Sequence, residues 1–263
     1  MTIDPDRYGP WAVIAGGSEG VGSAFATQLA DAGMNSVLIA RKPDPLEATA
    51  ADVRARGAQA RTLSLDLTSP DALERTREVT DDLDVGLLIY NAGANTYGAE
   101  FVESDPAGVQ GVIDLNITTH LAFARHFGKR LKDRGRGGLL LVGSLAGFLG
   151  HEQMQIYSAV KAFGRIFAEG LWLELEPHGV DVLELVLGVT RTPAMARAGL
   201  RMDLPGLTVS DPEDVAAEGL ANLGNGPVHI AGGNERLAEM QSGFPRDRIV
   251  RGAAEHSRRL LDG

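Results

Sequence analysis

The sequence predicts a doubly wound α/β fold, a mainly parallel seven-stranded sheet with helices on both faces. Three observations carry that expectation. Short apolar runs alternate with longer amphipathic stretches, as successive βαβ units require. Several runs are apolar throughout, such as Val37-Leu38-Ile39-Ala40 and Leu139-Leu140-Leu141-Val142, the pattern of strands covered on both faces. Four of the amphipathic stretches open on a proline, at Pro45, Pro70, Pro106 and Pro212, a residue suited to a first helical turn.

Taken in order, strands are expected at 11–15, 36–40, 60–65, 85–90, 138–143, 180–187 and 227–231. Helices are expected near 20–32, 45–56, 70–80, 106–134, 155–176 and 212–223. The longest uninterrupted case is 155–176, which lacks proline and repeats Val160, Phe163, Ile166, Phe167 and Leu171 at helical spacing. Strands joined through helices form a parallel sheet, whose ligands bind beyond the carboxyl ends of the strands. Chemistry is therefore to be sought just after each strand.

Composition narrows the classes. A chain of 263 residues with 44% hydrophobic content is expected to fold as one domain over 1–263, with a lid at 192–207 and a C-terminal extension at 234–263. It contains no cysteine, which removes disulfides, thiolate metal sites and cysteine nucleophiles. A net charge of −10 argues against nucleic acid or an anionic membrane as the main partner. The start, Met1-Thr2-Ile3-Asp4-Pro5-Asp6, lacks the basic and apolar regions of a signal peptide, and no apolar run approaches a membrane span of about 18 residues. A cytoplasmic setting is expected.

After the first strand comes Gly16-Gly17-Ser18-Glu19-Gly20-Val21-Gly22, followed at once by a helical stretch. Glycines let the backbone turn sharply and approach a pyrophosphate, while the helix start supplies N–H donors. The spacing is G-x-x-x-G-x-G rather than G-x-G-x-x-G. Gly16, Ser18 and Gly20 also match the G-x-S-x-G elbow of a hydrolase, but that fold places several strands before its serine. Metal hydrolysis fares no better, because His151-Glu152 is followed by Gln155 where a second histidine is needed. No metal is expected.

The second strand ends in Ala40-Arg41-Lys42, two cations where an NAD site would carry an acid. This favours NADP. Glu19 in the turn opposes a phosphate and Asp44 is near enough to replace the missing acid, so NAD stays open.

Tyr157 and Lys161 lie four apart within the longest helical pattern and so share one face. A free tyrosine titrates near about 10, too high for an acid/base group at neutral pH. A cation about 4 Å away is worth on the order of 4 kcal/mol at an effective dielectric of 20, or roughly three pKa units before desolvation opposes it. The pair is sized to exchange a proton with an oxygen.

With the glycine turn and this pair, the chain resembles a short-chain dehydrogenase/reductase, a Rossmann-like family. Further segments match in order. Asn91-Ala92-Gly93 resembles the family's N-A-G segment bordering the cofactor, and Asp66-Leu67 falls where the family holds the adenine. Asn116 matches the helix asparagine of a water-linked proton relay, and Ser144 precedes Tyr157 by the usual thirteen residues. Gly188-Val189-Thr190-Arg191-Thr192 resembles the segment that contacts the nicotinamide carboxamide. Leu187 in place of proline and Ala15 in place of threonine depart from the family pattern.

The resemblance implies an oxidoreductase in which Tyr157 passes a proton to or from a substrate oxygen. Lys161 lowers the phenol pKa and binds the nicotinamide ribose, Ser144 holds the substrate oxygen and Asn116 positions the relay water. Tyr157 and Lys161 would thus also touch the cofactor. A homodimer or homotetramer is implied, often through the Tyr157 helix. Phe148, Leu149, His151, Gln153, Met154, Asn95 and Tyr97, with the lid's Met195, Leu200, Met202, Leu204 and Pro205, suggest a medium-sized, mainly apolar carbonyl or alcohol. A dinucleotide-binding regulator with little turnover is the alternative of another class.

Overall fold

The computed structural model describes residues 3–93, 97–197, 199, 202 and 207–261. Asn95, Leu200, Leu204 and Pro205 lie outside these residues. Seven parallel strands form the main sheet: β1 Trp11–Ala15, β2 Asn35–Ala40, β3 Ala60–Ser64, β4 Val85–Tyr90, β5 Gly137–Ser144, β6 Val180–Leu187 and, last, β9 Val228–Ile230. A separate small ladder pairs β7 Val189–Thr190 with β8 Val209–Ser210.

The spatial order is β3-β2-β1-β4-β5-β6-β9. Chain progression therefore reverses between β1 and β4, and the carboxyl ends of those strands flank the crevice where such sheets bind ligands. Both faces of the sheet are covered. On one face Phe25 and Leu29 of α2 (Gly20–Asp31) and Val215 and Leu220 of α9 (Pro212–Asn222) bury Ile14, Leu38, Leu140 and Leu185. On the other, Phe123 and Phe127 of α6 (Thr119–Arg134) and Ala168 and Leu175 of α7 (Gln155–Leu175) cover Val13, Leu88, Leu141 and Val182.

The remaining helices are α1 Pro5–Tyr8, α3 Pro43–Ala55, α4 Ala72–Thr80, α5 Pro106–Ile113, α8 Pro193–Arg197, α10 Glu235–Ser242 and α11 Arg246–Leu261. Prolines start α3, α5 and α9, but α3 begins at Pro43 rather than Pro45, and Pro70 lies before α4 rather than in it. The predicted helix 106–134 is divided by a π turn over Asp114–Thr118. Its cause is local. Asn116 Nδ2 donates to the Val112 carbonyl at 2.9 Å, taking the acceptor that a regular helix reserves for the backbone N–H four residues on. Tyr90 Oη fastens the Leu115 carbonyl at 2.7 Å, and Thr119 Oγ1 donates to the Leu67 carbonyl at 2.6 Å.

Along α7, Phe167 and Leu171 pack inward, whereas Phe163, Ile166 and Leu173 present an apolar face to the surface. Among the described residues no helix is long and apolar enough to cross a membrane.

Candidate active site

The glycine turn after β1 is built against the end of β4. Gly16 adopts φ 85°, and a Cβ there would lie 2.9 Å from the Ala92 nitrogen. Asn91 Nδ2 donates to the Gly16 carbonyl at 2.9 Å, closing the crevice floor. Gly22 is tighter still: a Cβ would fall 2.0 Å from that same carbonyl oxygen. Val21 points into the core between α2 and the sheet. Thr49 of α3 braces the turn by donating to the Ser18 carbonyl at 3.1 Å. Glu19, just before α2, makes no side-chain cap, so the first N–H groups of the helix are left for an anion.

Glu19 instead turns outward to Arg197 of α8, whose Nη1 donates to Oε2 at 3.0 Å while Nη2 pairs with Oε1. The guanidinium holds the carboxyl below its ordinary pKa, with Lys42 adding to the effect. The end of α8 is thus tethered to the glycine turn. Thr192 lies at the same place, capping α8 by accepting from Met195 N at 3.2 Å, and a Cβ on Gly20 would meet its Cγ2 at 2.9 Å.

Arg41 and Lys42 are exposed at the end of β2, and Asp44 is exposed in the first turn of α3. Asp66 accepts from the Thr68 backbone N–H at 2.9 Å and hydroxyl at 2.8 Å, which with the nearby Arg41 charge holds its carboxyl below the usual range. Leu67 is buried beside it.

Four elements converge past β4 and β5. Ser144 ends β5, Tyr157 and Lys161 come from α7, Gly93 follows β4, and Asn116 comes from the π turn. The Ser144 hydroxyl lies near the Tyr157 phenol and favours its ionised form. Lys161 Nζ lies 5.7 Å from the Tyr157 ring centroid and donates to the Val142 carbonyl at 3.0 Å. A Cβ on Gly93 would meet Lys161 Nζ at 2.6 Å and Asn116 Oδ1 at 2.8 Å, so ammonium and amide oxygen reach the same point. Asn116 Oδ1 is buried without a hydrogen-bond partner. A buried orphan acceptor facing an ammonium suits a bridging water or ligand hydroxyl.

The electrostatics differ from the sequence expectation at one point. Burial raises the Tyr157 pKa above its ordinary value, and the neighbouring Ser144 hydroxyl opposes the rise. The ammonium lies 5.7 Å from the ring centroid, and the phenol's shift comes from burial and Ser144 rather than from Lys161. Lys161 is itself lowered to about 8 by burial.

Just past β6, Thr190 Oγ1 donates to the Gly188 carbonyl at 3.3 Å, and Val189 pairs with Val209. A Cβ on Gly188 would lie 2.8 Å from Nδ2 of Asn234, a buried residue that donates to the Ala231 carbonyl at 2.8 Å. Asn234 thereby braces this segment, a link invisible in the sequence. The expected substrate lining is split. Phe148, Leu149 and His151 border a cavity of about 700 Å³ beneath α11, with Ser158 and Arg246, whereas Tyr97, Gln153 and Met154 border a separate narrow opening. Gln153, at φ 58°, turns the chain between the two.

The glycine turn, its strand order and the serine–tyrosine–lysine cluster define a dinucleotide-dependent oxidoreductase fold. The chain belongs to the short-chain dehydrogenase family, whose model matches residues 10–202. It is 31% identical to a 7beta-hydroxysteroid dehydrogenase of Clostridium sardiniense over 94% of this chain and 95% of that protein. It is 33% identical to a very-long-chain 3-oxoacyl-CoA reductase of Podospora anserina over 73% of this chain and 57% of that protein. Among solved structures, a 7beta-hydroxysteroid dehydrogenase superposes with a TM-score of 0.86 at 28% identity, covering 95% of this chain and 98% of that one. A short-chain dehydrogenase from Sphingobium yanoikuyae in complex with NADPH superposes with a TM-score of 0.78 at 30% identity, covering 90% and 97%. The chain is an oxidoreductase of this family, interconverting CH–OH and C=O groups.

Proposed function

We propose that the protein is an NADP(H)-dependent oxidoreductase acting on a medium-sized, mainly apolar secondary alcohol or ketone, with Tyr157 as its proton-transfer group. The observation that carries this reading is the convergence of Ser144, Tyr157, Lys161 and the orphan oxygen of Asn116 past the carboxyl ends of β4 and β5. The dinucleotide supplies hydride chemistry when bound. Gly16, Gly20 and Gly22 admit the pyrophosphate backbone, with Ser18, Glu19 and Val21 forming the rest of the turn. Asp66, Leu67, Asn91, Ala92 and Gly93 border the adenosine side and floor, while Gly188, Val189, Thr190 and Thr192 border the nicotinamide side.

Ser144 holds the substrate oxygen and Tyr157 Oη gives or takes its proton. The Asn116 oxygen and Lys161 Nζ provide a path from that phenol inward. Positioning and charge carry the rate. The similarity to hydroxysteroid dehydrogenases and long-chain oxoacyl reductases supports a bulky apolar substrate, as does the apolar composition of the lid. The surface stripe of Phe163, Ile166 and Leu173 supports a homodimer or homotetramer joined along α7.

Fluorescence titration with NADPH and NADH, followed by a screen of steroid and aliphatic ketones and alcohols, tests the reading. NADPH binds more tightly than NADH, and the double variant Arg41→Ala/Lys42→Ala loses about tenfold to hundredfold in NADPH affinity with little change for NADH. Equal loss for both coenzymes would place the 2′-phosphate elsewhere. Tight binding with no turnover across the panel would favour the regulator.

A further inference from the structure

The glycine turn carries one carboxylate, Glu19, on a loop read here as a phosphate cradle. That turn is wedged between the end of β2 and the start of α3. The Gly16 and Gly17 N–H groups donate to the Ile39 carbonyl at 2.8 and 3.2 Å. From α3, Thr49 Oγ1 donates to the Ser18 carbonyl at 3.1 Å and to Ser23 Oγ at 3.2 Å. Arg41 and Lys42 leave β2 just beyond Ile39, and Asp44 follows in the first turn of α3. The corner thus holds two cations and two acids, Glu19 and Asp44, whose charges cancel.

A third cation reaches this corner from far along the chain. Arg197, 178 residues from Glu19, engages both carboxylate oxygens: Nη1 donates to Oε2 at 3.0 Å and Nη2 pairs with Oε1. Its approach is fixed by the other end of α8. A Cβ on Gly20, at φ 59°, would meet Thr192 Cγ2 at 2.9 Å, and Thr192 Oγ1 accepts from Met195 N at 3.2 Å. Arg191, before α8, is engaged with Asp211 instead, Nε donating to Oδ1 at 3.0 Å. The Glu19 and Arg197 side chains are 27% and 50% exposed, so their pairing adds little to stability. What it changes is the charge beside the turn.

We propose that Arg197 is a coenzyme-selectivity residue: by neutralising Glu19 it leaves a net positive corner at Arg41 and Lys42 for the 2′-phosphate of NADP(H). The proposal rests on the NADP(H) reading above and deepens it, assigning part of the preference to a side chain of α8 rather than to the end of β2 alone. A phosphate monoester carries about two negative charges at neutral pH, so a bare carboxylate in this corner opposes it. The pyrophosphate is common to NADPH and NADH. Any effect of Glu19 on that group cancels in the ratio of the two affinities, which reports the 2′-phosphate.

Binding of NADPH and NADH, read by coenzyme fluorescence without substrate, tests this. Adenosine 2′,5′-bisphosphate and AMP serve as competitors that lack the nicotinamide half. In Arg197→Gln the NADPH-to-NADH affinity ratio falls by about tenfold, and the bisphosphate-to-AMP ratio falls with it. Added salt shrinks the difference, and Arg197→Lys, which keeps the charge, keeps most of the preference. Glu19→Gln breaks the same ion pair but removes the acid, so its ratio is kept or rises. The double variant Glu19→Gln/Arg197→Gln recovers most of what Arg197→Gln loses. A pair that only held α8 in place would instead weaken both coenzymes equally in either single variant, and that result overturns the proposal. A parent protein that binds NADH as tightly as NADPH sinks the NADP(H) reading and this proposal with it. A parent that prefers NADPH, with a ratio indifferent to Arg197→Gln, sinks this proposal alone.

Discussion

Tyr157→Phe lowers kcat/KM for ketone reduction by about 10²–10⁴, the range in which a single positioned proton donor contributes. The substitution removes one oxygen and leaves the ring, so the packing of α7 against the π turn is kept. NADPH affinity therefore stays within a few-fold of the parent value, and the loss falls on turnover. Ser144→Ala acts on the same phenol: it removes the hydroxyl that opposes its upward shift. The Tyr157 pKa then rises further, so in the alcohol-oxidising direction the pH needed for half-maximal rate moves upward. A pH–rate profile of oxidation in Ser144→Ala checks that sign.

The second large effect belongs to Gly22→Ala. Its new methyl would sit 2.0 Å from the Gly16 carbonyl oxygen and 2.9 Å from Asn91 Nδ2. Both are parts of the crevice floor rather than flexible side-chain ends, so the turn itself has to move. Dinucleotide affinity falls by at least about 100-fold, with a lower melting temperature. Gly111→Ala is the internal control. That glycine lies in α5 with nothing near its would-be Cβ, and helix propensity favours alanine there by about 1 kcal/mol. Isothermal titration and thermal melts of the two variants separate crowding in the crevice from a general effect of removing a glycine. Equal behaviour of both would remove the glycine turn from the binding account.

Much of the scaffold was legible because it repeats a strong local code. Continuous apolar runs such as Leu139–Val142 mark covered strands, and the turn Gly16–Gly22 marks where the backbone passes too close to Asn91 and to itself for a Cβ. The residues that the code misses owe their positions to long-range packing. Asn116 is matched to the family pattern in the sequence, but the π turn in which it lies, with its Nδ2 on the Val112 carbonyl, is not. The distance of Lys161 from the Tyr157 hydroxyl depends on rotamers set by Val142, so spacing of four residues promised a stronger coupling than the geometry delivers. Glu19 looked hostile to a phosphate, but Arg197, remote in sequence, turns its charge outward. Asn234 could not be tied to Gly188 without the fold.

The central claim is that the Tyr157 phenol, beside Ser144, faces the redox carbon of a dinucleotide lying across the carboxyl ends of β1 and β4. A crystal structure of the complex with NADPH measures this directly. The nicotinamide ring is expected beside Ser144, Tyr157 and Gly188, with the pyrophosphate on Gly16–Gly22 and the 2′-phosphate against Arg41 and Lys42. A coenzyme seated in the cavity beneath α11, or a phenol turned away from the nicotinamide, would contradict it.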